Sequence, residues 1–231
     1  MSALLCLDGI CKHFGYRKIL ENINFCIESG EFVLLVGNNG AGKSTLLRII
    51  SSLMKPTHGK IFFKGINQRE IFMLWLKKMG YVSIETQLYG DLSSIDNLRL
   101  YGTFYEIENL NLKINEILTR IDLTHVAKIP VRKFSSGMKK RLMIGRLMLY
   151  KPEILLLDEP FIGLDQISLN WFKNYLHKFN QKGGTVLMVT HQFEQGLELP
   201  NRVMVLKNQN IQKNLPTKGL NSTHLSSWLE E

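Results

Sequence analysis

The feature that most constrains this chain is the glycine-rich stretch GNNGAGKST at residues 37–45. The run before it, residues 32–36, is short, apolar and partly β-branched, which predicts a buried strand. The run after it, residues 45–50, has the apolar repeat of a helix. A glycine-rich turn is the ordinary alternative, but the spacing Gly-x-x-x-x-Gly-Lys-Ser between a strand and a helix favours a loop that cradles nucleotide phosphates.

The residue types of this loop each have a physical reason. The glycines let the backbone turn, so that its N–H groups and the N-terminus of the next helix can approach an anion. Lys43 supplies a point charge for the β- and γ-phosphates, and the Ser44 hydroxyl is a candidate Mg²⁺ ligand. The candidate nucleotide-binding residues here are Gly37, Asn38, Asn39, Gly40, Ala41, Gly42, Lys43, Ser44 and Thr45.

Length and composition set broad limits. The chain has 231 residues, of which 45% are hydrophobic, so it can build a real core and disorder is excluded as its main state. Its 29 lysines and arginines exceed its 20 acidic residues by nine, which raises nucleic acid or an anionic membrane surface as partners. Proteins that handle phosphates are also often basic, so the charge discriminates weakly.

Cysteine usage and hydropathy indicate the compartment. Cys6, Cys11 and Cys26 form no CxxC pair and are odd in number, so we expect small buried hydrophobic residues in a reducing cytosol. No apolar run approaches the ~20 residues of a membrane span, and the N-terminus lacks a signal-peptide pattern. We therefore expect a cytoplasmic protein.

The order of patterns along the chain predicts an α/β fold. Short strand-like runs in residues 4–36 predict an antiparallel β region that leads into the loop. Residues 71–150 change towards helical periodicity, and strand patterns return at 154–157 and 186–189 around a helix-like segment.

Polar residues follow both of these later strands, where ligands gather in open α/β sheets. Asp158 is a candidate Mg²⁺ ligand and Glu159 a candidate general base, although an acidic turn is a common way to end a strand. His191 follows residues 186–189. Alone it would be interpreted as structural, but beside a phosphate loop we favour a hydrogen bond to the γ-phosphate.

Ser135, Ser136 and Gly137 stand just before a helix with a basic first turn. Small residues at this position can expose backbone N–H groups to an anion. Taken alone, an ordinary N-cap is the favoured interpretation.

These motifs, in this order, resemble the ATP-binding cassette (ABC) family over nearly the whole chain. The resemblance implies a P-loop NTPase fold with a RecA-like core, an antiparallel β subdomain and an inserted α-helical subdomain. We expect one ABC ATPase domain over residues 1–231, with the ATP-binding core and β subdomain in 1–80 and 151–231 and the helical signature subdomain in 81–150. The implied activity is ATP hydrolysis, with ATP and Mg²⁺ as cofactors.

The resemblance also implies individual roles. Lys43, Glu159 and His191 are the implied catalytic residues. The signature residues 135–137 would bind the γ-phosphate held by another cassette, so that two copies sandwich two ATP molecules. Phe14 matches the aromatic residue that stacks on adenine, though Tyr16 is close enough in sequence to compete.

The signature departs from the family pattern Leu-Ser-Gly-Gly-Gln. The chain has Phe134, Ser136 and Met138 at the first, third and fifth places. Ser135 and Gly137 match the pattern, so we expect the phosphate contact to be intact.

The Q-loop departs more seriously. The family's glutamine, which senses metal and water, aligns with Glu85, and Ile84 is the other possibility. Glu85 could ligate Mg²⁺, but its charge would oppose the nearby γ-phosphate.

Within the family, several stretches resemble the haem-exporter ATP-binding subunits of bacterial cytochrome c maturation, the CcmA type. They lie at residues 81–83, 88–92, 158–161, 163–166, 189–191 and 194–197. The implied partners are a second ABC cassette, as a homodimer, and integral membrane subunits of the CcmB and CcmC type. The chain would then lie peripherally on the inner face of the cell membrane, and no specific nucleic acid is expected.

The competing function is a non-transport ABC ATPase that acts on nucleic acid or the ribosome, for which the net charge of +9 would be the electrostatic footprint. The single cassette without a coiled-coil insertion argues against it. A third possibility, a P-loop kinase that acts on a small molecule, would not explain the presence of the signature or of His191.

Overall fold

The computed structural model describes residues 3–83, 87–191 and 197–230. One sheet consists of β1 Ala3–Phe14, β2 Arg17–Glu28, β4 His58–Phe63 and β5 Ile66–Asn67. These strands are antiparallel, in the order β2-β1-β4-β5. Burial alternates along most of β2, because one face of the sheet packs on the core and the other faces solvent.

The second sheet consists of β3 Phe32–Val36, β6 Met79–Val82, β7 Ile154–Asp158, β8 Thr185–Val189, β9 Arg202–Lys207 and β10 Asn210–Pro216. Its order is β10-β9-β3-β8-β7-β6, and β10 runs antiparallel to β9 while the other pairs are parallel. Every residue of β3, β6, β7 and β8 is buried. Both faces of these strands are covered, so their sequences are apolar throughout rather than alternating.

The helices are α1 Lys43–Ile50, α2 Phe72–Lys78, α3 Ser94–Phe104, α4 Leu110–Arg120, α5 Ser136–Tyr150, α6 Gln166–Gln181 and α7 Ser222–Glu230. Short 3₁₀ turns lie at Thr124–Val126 and Val131–Lys133. The antiparallel sheet and α1 pack on one face of the parallel strands, and α5, α6 and α7 pack on the other. In the described part of the chain, no helix combines the length and apolar character needed to cross a membrane.

Helices α3, α4 and α5 pack on one another around a separate apolar cluster that includes Leu98, Ile114 and Leu142. The predicted α/β fold class, with its antiparallel sheet and helical elements, is confirmed. Strand β6 was not predicted, because its four residues are all buried and show no alternation, and they directly follow helix α2. Its main-chain pairing with β7 makes it the edge of the parallel sheet.

The expectation that all three cysteines are free was wrong. Cys6 and Cys26 form a disulfide between β1 and β2, where they are direct cross-strand partners with Cα atoms 4.1 Å apart. Cys11 is free and half-buried. The sequence hides this pairing, because the register of two strands cannot be derived from a cysteine count.

Substitution of Trp75 tests the packing of the apolar core between the two sheets. Its side chain is fully buried, its Nε1–H donates to the Ile50 carbonyl at 3.1 Å, and its ring lies 5.1 Å from the Phe63 ring. Because Trp75→Ala leaves a large cavity between α1, α2 and β4, we expect the free energy of unfolding to fall by about 3–5 kcal/mol. Urea denaturation measures this change.

The matched control is Phe104→Ala, whose ring is 59% exposed on α3. We expect a change within about 0.5 kcal/mol there, since surface truncations rarely cost more. Equal losses in the two variants would contradict the assignment of Trp75 to the core.

Candidate active site

The loop between β3 and α1 is shaped by close backbone approaches. Gly40 and Gly42 have φ values of +80° and +104°, in the left-handed region that glycine adopts without strain. A Cβ atom at Gly37 would lie 2.4 Å from the Leu206 carbonyl oxygen of β9, so this position requires glycine. Helix α1 has no side-chain cap at its N-terminus. The N–H groups of its first turn can therefore face an anion.

Lys43 is folded back over this loop. Its Nζ donates to the carbonyl oxygens of Gly37 at 2.7 Å and Asn38 at 2.9 Å, and the residue is 7% exposed. Burial lowers the pKa of Lys43, and the nearby charges of Glu159 and Asp158 oppose that shift. The ammonium therefore sits where phosphate oxygens can take over from the two carbonyls.

Ser44 and Asp158 meet across the same site. The Ser44 Oγ donates to Asp158 Oδ1 at 3.0 Å, and Asp158 ends the buried strand β7. Burial raises the pKa of Asp158, while the hydrogen bond from Ser44 lowers it. These two oxygens suit Mg²⁺, which prefers few protein ligands together with phosphate and water. Among the described residues, no group of three or more His, Cys, Asp or Glu could hold a metal by itself.

Glu159 and His191 form a second pair, at the carboxyl ends of β7 and β8. Glu159 Oε1 lies 2.9 Å from His191 Nδ1, and the His191 backbone N–H approaches Glu159 Oε2 at 3.3 Å. The backbone of Glu159 has a φ of +50°, which is strained for a side-chain-bearing residue and is held by its N–H bond to the Val189 carbonyl at 2.9 Å. The structure thus brings together both residues that the sequence predicted for water activation and phosphate contact.

The predicted signature residues lie where α5 begins beside α6. Ser135 is the N-cap of α5 and accepts from the Met138 N–H at 3.2 Å, and the Ser136 Oγ donates to the Gly163 carbonyl at 2.5 Å. A Cβ atom at Gly137 would lie 2.5 Å from the Ser168 Oγ. Within the described residues, Ser135 and Ser136 form no hydrogen bond with residues 37–45. The geometry leaves the signature available to a nucleotide held elsewhere.

A cavity of about 610 Å³ lies beside the phosphate loop and is lined by residues 16–19, 38–41 and 206–209. Tyr16, fully exposed, is part of this lining. Phe14 is not among the lining residues, and the Lys12 ammonium lies 4.9 Å from the centre of its ring. Of the two aromatic candidates for adenine stacking, the cavity favours Tyr16, and the assignment to Phe14 stays a prediction.

The predicted Q-loop residues, Glu85 and Ile84, lie outside the described residues. The sequence interpretation missed a residue that contacts Ser83: Lys140, 4% exposed, donates from Nζ to the Ser83 carbonyl at 3.3 Å. Burial lowers the pKa of Lys140 to about 8, although the Asp158 charge raises it. The signal for it was a lysine three residues after Gly137, on the face of α5 that carries Ile144.

Comparison with known proteins agrees with this geometry. The model of the family described as ABC transporter matches residues 20–162. The chain is 36% identical over 188 residues to the lantibiotic transport ATP-binding protein SrtF of Streptococcus pyogenes, covering 81% of this chain and 80% of that one. It is 31% identical over 223 residues to the bacitracin transport ATP-binding protein BcrA of Bacillus licheniformis, covering 94% and 71%.

Two solved ABC structures are similar to this chain over nearly its whole length. The ATP-binding subunit of an ABC transporter superposes with a TM-score of 0.89 at 25% identity, covering 99% of this chain and all of the other. The dimeric post-hydrolysis cassette MJ0796, bound to ADP and Pi, superposes with a TM-score of 0.83 at 27% identity, covering 94% of this chain. The family match and these likenesses agree with the phosphate loop, Asp158 and Glu159 described above, and the chain belongs to the ABC transporter family as an ATP-binding, ATP-hydrolysing subunit.

Proposed function

We propose that two copies of this chain close around two ATP molecules and hydrolyse them with water activated by Glu159. The observation that carries this proposal is the Glu159–His191 pair at 2.9 Å, next to the Ser44–Asp158 hydrogen bond and the buried Lys43. A base, a cation and a metal-compatible oxygen pair are the parts that phosphoryl transfer to water requires.

Lys43 binds the phosphates in this mechanism. Its Nζ passes from the Gly37 and Asn38 carbonyls to β- and γ-phosphate oxygens, while the N–H groups of the loop and of α1 hold the same anion. Ser44 and Asp158 would hold Mg²⁺, which neutralises charge on the β- and γ-phosphates.

Glu159 takes the proton of the attacking water as its oxygen bonds to the γ-phosphorus and ADP leaves. His191 has two roles in this mechanism. Its contact with Glu159 orients the carboxylate. When that contact breaks, the His191 side chain can reach the γ-phosphate. Because the residue that orients the base also senses the phosphate, the base becomes available when ATP is in place.

A second cassette completes the site. Ser135 and Gly137 are fixed by the start of α5 and by α6, which supports their use as a rigid phosphate contact in trans. The dimeric form of the similar cassette MJ0796 supports the same arrangement here. The proposed assembly is a homodimer.

Integral membrane subunits are the proposed third component. Helices α2 and α3 expose large apolar side chains, namely Phe72, Met73, Leu74, Leu100 and Phe104, each between 45% and 59% exposed. The Lys77–Glu106 ion pair at 3.4 Å holds the end of α2 near the end of α3. This surface would bind the membrane subunits on the cytoplasmic face of the cell membrane.

Haem is the cargo we propose, with partners of the CcmB and CcmC type, because the stretches at residues 88–92, 158–161 and 163–166 resemble that branch. The relatives favour a second candidate, transport of peptide antibiotics, since two of them are named for lantibiotic and bacitracin transport. Action on nucleic acid is less favoured, because the relatives are named as transport proteins.

Glu159→Gln tests the general base. The amide keeps the shape but cannot accept the proton, so we expect ATP hydrolysis to fall at least about 100-fold. ATP binding should persist, and the variant should accumulate as an ATP-bound dimer. Phosphate release and size-exclusion chromatography with ATP measure both effects. Glu116→Gln, at an exposed position of α4, is the control and should hydrolyse ATP at the normal rate. A normal rate of ATP hydrolysis in Glu159→Gln would refute the role of Glu159 as the general base.

Mixing two inactive variants tests the shared site. Lys43→Ala removes the phosphate cation, and Ser135→Asp keeps the helix cap but places a carboxylate against the γ-phosphate. Each alone should be nearly inactive. In a random mixture, half of the dimers hold one intact site out of two, so we expect about a quarter of the wild-type rate.

Ser135→Asn is the neutral control for this experiment, since asparagine also caps a helix, and it should retain more activity than Ser135→Asp. Mixed dimers that form and yet stay inactive would mean that the signature does not act in trans.

Membrane co-purification tests the transport proposal. We expect the affinity-tagged chain to retain hydrophobic membrane subunits, and cells carrying Glu159→Gln to lack covalent haem in c-type cytochromes on haem-stained gels. Unchanged cytochromes with a new sensitivity to a lantibiotic or bacitracin would favour the second candidate. Retention of nucleic acid or ribosomes without membrane subunits would contradict transport.

A further inference from the structure

A second cavity lies at the amino ends of the parallel strands, opposite the ends that carry the active site. Its volume is about 790 Å³, and it includes Pro152 and Glu153 just before β7 and Gly184 just before β8. The nucleotide site lies at the carboxyl ends of the same strands. Helices α4, α5 and α6 all end at this cavity, so it joins the helical cluster to the sheet layer.

One wall of the cavity is a row of aromatic rings on α6. The rings of Trp171 and Tyr175 lie 6.2 Å apart and 10° from parallel, and those of Tyr175 and Phe179 lie 6.3 Å apart at 22°. Phe179 packs on Gly184, where a Cβ atom would lie 2.3 Å from the ring. Helical spacing alone would explain an ordinary core stripe, but these rings are only half-buried and line an open space.

The rim of the cavity carries the cations Arg120, Lys151, Lys178 and Lys182, all exposed. Within residues 3–83, 87–191 and 197–230, none of the four forms an ion pair. The acidic residue in the lining, Glu153, is already held by Lys64 at 2.6 Å and Lys78 at 2.9 Å.

The partial negative charges at helix C-termini offset part of the positive charge of these cations. Arg120, Lys151 and Lys182 lie at the ends of α4, α5 and α6, where cations offset the carbonyl ends. Three helix ends carry about −0.5 charge each, so four cations leave an excess of about +2.5. The excess is larger than helix capping requires.

We propose that this cavity binds an anionic amphiphile with a flat apolar ring system. The ring system would lie against the aromatic row of α6, and the anionic group would face the four cations. The volume suits a small molecule, since pockets for such ligands span roughly 300–1,000 Å³. The charge excess selects an anion, and the aromatic side chains in the lining select an apolar ring system as the partner.

The fluorescent probe anilinonaphthalene sulfonate has this chemistry and tests the proposal on the full chain. We expect saturable binding with energy transfer from the tryptophans of the chain, and Trp171→Phe should lower that transfer while keeping the binding. Lys178→Glu with Lys182→Glu should weaken binding about tenfold or more. ATP at saturating concentration should not displace the probe.

The matched control is Lys128→Glu with Lys218→Glu, which makes the same charge change at exposed positions outside the cavity. It should change the affinity less than about twofold. Melting temperature and ATP hydrolysis verify folding, and if the glutamate pair unfolds, Lys178→Gln with Lys182→Gln should still weaken binding about threefold. The proposal would be overturned by equal weakening of probe binding in the cavity and control variants. Displacement of the probe by ATP, or only by an acidic helical peptide, would also overturn it.

Discussion

The active site depends on one buried charge, the ammonium of Lys43. A cation that is 7% exposed is costly unless other groups replace its hydration. Here the two loop carbonyls accept from it, and Asp158 and Glu159 raise its pKa against the effect of burial. This arrangement requires the loop, β3 and β7 to lie together, because the carboxylates come from one strand end and the carbonyls from another. Phosphate oxygens complete the compensation, so the site is organised for an anion before one arrives.

The strand predictions that succeeded were those based on short contiguous patterns. Strands β3, β7 and β8 are five-residue buried runs, and polar groups at their ends meet because parallel strands end at the same edge. The sequence therefore assigns Ser44, Asp158, Glu159 and His191 to one site, and their roles in it stay predictions. The pairing of Ser44 with Asp158 and of Glu159 with His191 depends on tertiary packing that the sequence pattern does not specify.

The predictions that failed or stayed open depend on register and on contacts between distant segments. The Cys6–Cys26 pair is set by the alignment of two long strands that contain several register shifts. The choice between Phe14 and Tyr16 depends on how a tight turn directs two rings, which composition does not encode. Lys140 resembles part of a solvated basic turn in the sequence, but in the structure it is buried and donates to the Ser83 carbonyl.

Helices α5 and α6 connect the two ends of the molecule. Both begin at the signature, where Ser136 binds Gly163 and Gly137 packs on Ser168, and both end at the cation-rimmed cavity. Close-packed helices move as units, because their interiors have little free volume. The ligand proposed for this cavity would therefore be linked through both helices to the signature, at which we propose that two cassettes share a nucleotide. The packing that fixes Ser135 and Gly137 for the proposed phosphate contact therefore belongs to the same two helices that form the cavity wall.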